Sequence, residues 1–287
     1  MKELKELKVY GVDFTSAPGR RKPLVAVGCV LADGVLRAES SEEMTSLEEL
    51  AEFLCRPGPW ACGLDFPFGQ PRGLVEALGW PEAWEGYVAE VSRMEAREFE
   101  EKLRADMATR PAGSKHRYRR TDRLSGSASA MMLFRVPVGK MFHRGAPLLL
   151  RSGASVVPCQ DNGSSRLLFE SYPALVARRV IGRRPYKSDD RARQSPEREQ
   201  ARRDLVAGLL PDKSDESGDS DKIADAYGFC IRLDSTLEER FIRESAADGL
   251  DSLLCAIQAA WAYGRADRGV PEDCDADEGW IPDPALI

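Results

Sequence analysis

Five acids in this chain stand where folds concentrate chemistry. Asp13 ends the apolar run Val9-Tyr10-Gly11-Val12, and Asp65 ends Trp60-Ala61-Cys62-Gly63-Leu64. Glu170 ends Arg166-Leu167-Leu168-Phe169, while Asp248 and Asp251 open the last long apolar stretch three residues apart. A strand or a helix start has little use for a lone buried carboxylate, because desolvating an unpaired charge is expensive. Each acid is therefore paired, hydrogen-bonded locally, or a ligand. Oxygen anions without a His or Cys cluster suit a hard cation such as Mg²⁺ or Mn²⁺. Two such ions about 4 Å apart clamp the attacking and leaving oxygens of a phosphoryl transfer. On this reading Asp13, Asp65, Asp251 and Glu170 are the candidate catalytic acids, and Asp13, Asp65, Asp248 and Asp251 the candidate metal ligands. A plainer reading stands beside it: Asp248 caps its helix, Asp13 pairs with an arginine, and Glu170 belongs to a structural ion pair.

Basic residues supply the second signal. Lys115-His116-Arg117-Tyr118-Arg119-Arg120 mixes cations and aromatics, and Arg178-Arg179 with Arg183-Arg184-Pro185-Tyr186-Lys187 follows soon after Glu170. Such side chains neutralise phosphates and stack on bases. Lys115, Arg117, Arg119, Arg120 and Lys187 are the candidate substrate-binding residues, with a solvated charged face as the alternative. The chain's two histidines, His116 and His143, are open to a proton-shuttle role or to none.

The elements that must position these groups follow from patterning. Residues 8–15, Leu24 to Leu31 and Val35 to Ser40 read as three strands, the latter two joined by the hairpin signal Asp33-Gly34. A helix from about Leu47 to Leu54, capped by Thr45 or Ser46, leads to a fourth strand at Trp60 to Pro67. Residues 70–108 are mostly helical, with Trp80, Trp84, Tyr87, Val91 and Met94 on one apolar face. Residues 110–151 are basic, rich in Gly and Ser, and irregular. A fifth strand signal over Arg166 to Pro173, helices at 174–181 and 196–210, a polar loop at 211–221, a helix from Ile223 to Leu233 and the last helix from Asp248 complete the chain. The expectation is one α/β domain over 1–287: a mixed five-stranded sheet in the order β-β-β-α-β-α-β-α, flanked by helices, with a helical and basic insertion at about 70–160.

Composition narrows the setting. With 287 residues, 43% hydrophobic and 31% charged, the chain can bury a substantial core. A net charge of -6 argues against a general nucleic-acid coat, not against a local basic groove. No apolar run is long enough to span a membrane, and the start MKELKELK lacks the apolar core of a signal peptide. Seven dispersed cysteines without a CxxC pair make a disulfide framework or a zinc site unexpected, and point to a reducing cytoplasm.

The order of the acids, after the first strand, after the fourth and on the last helix, resembles the ribonuclease H-like fold of RNases H and Holliday-junction resolvases. Gly11-Val12-Asp13, Gly63-Leu64-Asp65-Phe66-Pro67-Phe68-Gly69, Arg120-Thr121-Asp122, Pro137-Val138-Gly139, Glu170-Ser171-Tyr172-Pro173, Asp248-x-x-Asp251 and Glu278-Gly279-Trp280-Ile281 together resemble the domain-of-unknown-function 429 family. Its members are described as predicted RNase H-like nucleases, and the similarity runs from Val9 to Ile281. The resemblance implies a hydrolase, metal-dependent phosphodiester cleavage, and the acids as its centre. Two other functions compete. Asp13-Phe14-Thr15-Ser16 is similar to the first phosphate turn of actin-like phosphotransferases and ATPases, although no Gly-rich nucleotide loop accompanies it. A non-catalytic nucleic-acid-binding module would keep the same acids for structure.

Overall fold

The computed structural model describes residues 6–188, 190–211 and 222–287. All but the first residue of the expected polar loop at 211–221 lies outside them. Strands β1 (Leu7–Asp13), β2 (Leu24–Ala32) and β3 (Val35–Met44) form an antiparallel meander. The β2–β3 turn has Asp33 and Gly34 at φ 50° and 73°, the left-handed pair that matches strand twist in a tight hairpin. Helix α1 (Leu47–Leu54) follows, held by Ser46, whose hydroxyl accepts the Glu49 N–H. It returns the chain so that β4 (Trp60–Leu64) pairs parallel with β1.

Five helices come next: α2 (Arg72–Ala77), α3 (Trp84–Val91), α4 (Ala96–Ala108), α5 (Arg120–Ser125) and α6 (Val138–Ser152). Then β5 (Ser155–Val157) and β6 (Arg166–Glu170) extend the sheet beyond β4, all parallel. Helices α7 (Pro173–Ile181), α8 (Pro196–Leu209) and α9 (Lys222–Tyr227) precede β7 (Cys230–Arg232), and α10 (Ser235–Arg243) and α11 (Asp248–Gly264) follow it. The result is an α/β fold around a mixed seven-stranded sheet in the order β5-β6-β4-β1-β2-β3-β7.

Neighbouring strand residues feed different cores, as a two-residue period requires. Ala26, Cys62 and Leu168 join one apolar cluster with α1, α3, α4 and α6. Val27, Ala61 and Phe169 join the other, with α7 to α11.

Several expectations need correction. Five strands become seven, because β5 and β7 have three residues each, too few for a period to register. Strand β3 runs on to Met44 through a largely solvent-facing stretch of Ser and Glu. The segment 110–151 is not irregular throughout: α6 spans 15 residues. Gly145 and Pro147 disguise that helix in the sequence, yet Gly145 is where it meets the sheet edge, since a Cβ there would lie 2.6 Å from the Phe66 ring. The helix expected from Ile223 to Leu233 breaks at Gly228, φ 80°, and resumes as β7.

Candidate functional site

The carboxyl ends of β1 and β4 lie side by side. Val12 pairs with Leu64, and the Asp65 N–H donates to the Val12 carbonyl at 3.1 Å, so Asp13 and Asp65 emerge together at one sheet edge. Helix α11 crosses directly over these strands because they carry glycine there. A Cβ on Gly11 would lie 1.9 Å from the Ser252 carbonyl oxygen, and one on Gly63 2.4 Å from that of Cys255. Ser252 fixes the crossing. Its hydroxyl oxygen accepts the Asp13 N–H at 3.1 Å, and the hydroxyl lies 2.8 Å from the Val25 carbonyl and 2.7 Å from that of Asp248. The helix thereby brings Asp248 and Asp251, one turn apart, to the edge that carries Asp13 and Asp65. Ala247, just before α11, is held at φ 61°, a left-handed conformation that costs a non-glycine residue about 1–2 kcal/mol.

These acids line or underlie a cleft of about 690 Å³. Asp13, Asp65 and Asp248 reach its surface, as do Tyr186 and Lys187. Asp251 is fully buried; it accepts the Tyr186 hydroxyl at 2.5 Å and is in contact with the Lys187 ammonium. Burial pushes the Asp13 carboxyl well above the usual range, Lys187 opposes this, and Asp251, Asp65 and Asp248 reinforce it. Asp65 is raised to about 7 by burial, again against Lys187 and with Asp251 and Glu170 adding to it. Lys187 is thus a cation set against Asp251, Asp13 and Asp65.

Oxygen anions are the donor chemistry of a hard divalent ion, and here the Lys187 ammonium engages Asp251. As they are placed, however, no three His, Cys, Asp or Glu side chains among the described residues are gathered to hold a metal.

Glu170 lines the same cleft but has a different partner. It is 2% exposed; Arg119 donates to its two oxygens at 2.6 and 2.7 Å, and the Phe68 N–H adds a third bond at 2.8 Å. The sequence reading counts Glu170 among the catalytic acids; its carboxylate is instead engaged by a buried arginine. Arg119, read as substrate-binding, is that arginine. Its remaining N–H groups reach Asp122 and the Glu278 carbonyl, which commits all five donors of the guanidinium. The other members of that basic run diverge from the cleft. Lys115 is exposed, Arg117 is paired with Asp106 at 2.8 Å, and Arg120 is paired with Asp273 at 2.6 Å. Of the expected substrate-binding residues outside the buried pair, Lys187 alone lines the cleft.

The sequence reading missed Lys22 and Arg135, which also line the cleft, and Tyr186 and Ser252, which orient its acids. Arg135 carries a signal in retrospect, because Phe134 and Val136 on either side are each 58% exposed, unusual for apolar residues. His143 lies elsewhere, its Nε2 2.9 Å from the Met94 carbonyl and its ring against Phe99.

No curated protein matches this sequence significantly, and no solved structure does. A family model matches residues 11–275, a span that includes every acid of the cluster. The chain therefore belongs to the family described as protein of unknown function (DUF429).

Proposed function

We propose that this protein is a hydrolase that cleaves phosphodiester bonds in nucleic acid, using Mg²⁺ or Mn²⁺ held by Asp13, Asp65, Asp248 and Asp251. The observation that carries the reading is the meeting of Asp13, Asp65 and Asp248, from two strand ends and one helix, at a single cleft, with Asp251 buried one turn along that helix. The strand order β3-β2-β1-β4-β6, antiparallel then parallel, supports a ribonuclease H-like architecture. Such an open α/β sheet binds ligands beyond the carboxyl ends of its strands, where these acids lie.

When bound, a divalent ion supplies Lewis-acid stabilisation of phosphoryl oxygens and lowers the pKa of water. The chain's own residues orient and neutralise. Tyr186 holds Asp251 in one orientation, and Ser252 ties α11 to the ends of β1 and β2. Arg135 and Lys187 place positive charge at the cleft that a phosphate backbone would enter. The exposed Phe134 and Val136 offer an apolar lip against which bases can stack.

The test is cleavage of labelled single-stranded, duplex and branched DNA and RNA with Mg²⁺ or Mn²⁺. Wild type is expected to cut at least one of them, with Asp13→Asn and Asp251→Asn each reducing the rate by about 10²-fold or more, the scale on which displaced or lost site groups act. Cleavage undiminished in both variants overturns the assignment.

A further inference from the structure

A second cavity, of about 440 Å³, lies beside the cleft. Two elements serve both. Ser16, in the turn after β1, lines the cleft and the cavity alike. On α6, Val138 and Met141 line the cleft, whereas Lys140, His143 and Arg144 line the second cavity. Spacings of three and four residues put each set on one side of a helix, so α6 is a wall common to the two.

The chain accounts for most of the charge in this cavity. Glu100 accepts from Lys140 at 2.9 Å and from Arg104 at 2.5 Å. The bond from Lys140, aided by that from Arg104, holds its carboxyl below the ordinary range. Glu48 sits in the first turn of α1, where the helix dipole favours an acid. His143 is fixed, with its Nε2 donating to the Met94 carbonyl at 2.9 Å and its ring 4.9 Å from that of Phe99. Arg144 is the exception. Its side chain is exposed, lines the cavity, and makes no hydrogen bond or ion pair among the described residues. Arg135, just before α6, has the same standing at the cleft.

Two uncommitted guanidinium groups therefore stand along one helix, one at each cavity. Each is a planar fork of donors that matches a phosphate. The rise of α6 from Val138 to Arg144 is about 9 Å at 1.5 Å per residue, which stacked nucleotides at about 3.4 Å each cover in about three. A linear ligand with a phosphate on every unit, passing over Ser16 from the cleft, would meet both arginines.

We propose that the second cavity is a subsite for the strand that the cleft receives, occupied by a nucleotide a few positions along it, with Arg144 holding that nucleotide's phosphate. The inference rests on the reading that the ligand of the cleft is nucleic acid, and it needs no metal.

The experiment is fluorescence anisotropy of labelled single-stranded DNA and RNA octanucleotides in chelator, over a range of salt, with wild type, Arg144→Ala and Arg151→Ala. Arg151 is an exposed cation of the same helix that lines neither cavity. Arg144→Ala is expected to weaken binding about fivefold, the scale of one hydrogen-bonded contact. It is also expected to lower the slope of log affinity against log salt by about 0.7, the share of one phosphate on a single strand. Arg151→Ala is expected to match wild type. Equal affinity and slope in wild type and Arg144→Ala, or equal losses in the two variants, overturn the subsite and leave the nucleic-acid reading of the cleft standing; no binding by wild type overturns both. Phenylglyoxal labelling of wild type, read by mass spectrometry, locates the contact without a variant. Saturating octanucleotide is expected to cut labelling of Arg144 several-fold and to leave Arg151 unchanged, and an unprotected Arg144 in the bound protein overturns the proposal.

Discussion

Gly11→Ala tests whether the contact between α11 and β1 holds the site together. The new Cβ would lie 1.9 Å from the Ser252 carbonyl oxygen and 2.4 Å from the Ala256 nitrogen, both backbone atoms. Against the 3.4 Å at which ordinary contact begins, the helix must lift by about 1.5 Å, and no side-chain rotation relieves it. Residues Asp248 to Ala262 of α11 are all buried, so the helix cannot tilt outward without opening the core. A lift of that size breaks the Asp13 N–H bond to Ser252 and the bond between Ser252 and Val25. Two hydrogen bonds at about 1 kcal/mol each and overpacking at about 1–3 kcal/mol give a loss of about 3–5 kcal/mol. That is a large part of the roughly 5–15 kcal/mol that holds a typical domain folded. Urea unfolding followed by circular dichroism measures it. Gly264→Ala is the control: no atom lies within 4 Å of its Cβ position, and an alanine there is expected to be neutral or to stabilise by up to about 1 kcal/mol. If Gly11→Ala loses less than about 1 kcal/mol, α11 does not rest on β1 as described. The positioning of Asp248 and Asp251 then needs another explanation.

Two further outcomes are expected. Arg119→Met leaves the buried carboxylates of Glu170 and Asp122 without their cation, and should cost about 3–5 kcal/mol in urea unfolding, with Glu170→Gln in the same chain restoring part of it; a loss near zero would mean that water reaches the pair. In chelator, wild-type stability should fall as pH rises from about 4 to about 7. The folded carboxyl of Asp65 sits at about 7 against 3.8 ordinarily, so across that window the folded state holds a proton that the unfolded chain has lost. The contribution is fully present below pH 3.8 and lost by the time pH passes 7, with a ceiling of about 4 kcal/mol at roughly 1.4 kcal/mol per pH unit. Melting temperatures of Asp65→Asn should show a shallower fall over the same range; parallel curves would mean that Asp65 carries no such shift.

Much of the fold is legible because its signals are local. The apolar runs of β1, β2, β4 and β6 are short, bounded by turn residues and rich in strand formers, and they read correctly to within a few residues. The left-handed Asp33-Gly34 turn is specified by residue types that tolerate that conformation. The misses arise where tertiary context supplies what the local pattern lacks. Strand β7 has three residues and pairs only with Val35 to Arg37, so its stability comes from the neighbouring strand. In α6 a glycine and a proline occupy helix positions, and the Phe66 ring against Gly145 accounts for the glycine.

The site shows the same division at the level of chemistry. Asp13, Asp65, Asp248 and Asp251 can be found in the sequence because each sits at the terminus of a recognisable element, and element ends are what local patterning marks best. Glu170 sits at such a terminus too, and nothing local separates it from the others. What separates it is Arg119, 51 residues away and committed to it, to Asp122 and to the Glu278 carbonyl. The run Lys115 to Arg120 illustrates the same limit from the basic side. Adjacent residues in a turn face different directions, so Arg117 pairs with α4, Arg119 enters the core and Arg120 meets the C-terminal loop. A cluster of cations along a sequence is therefore weak evidence for a cluster in space. A single lysine next to a tyrosine, both brought to Asp251 by a loop that Arg202 fixes, carries more of this site's electrostatics than the entire basic run. That is a property of the closed chain, since the charge that matters is the one nearest the buried acids, and proximity there is set by packing.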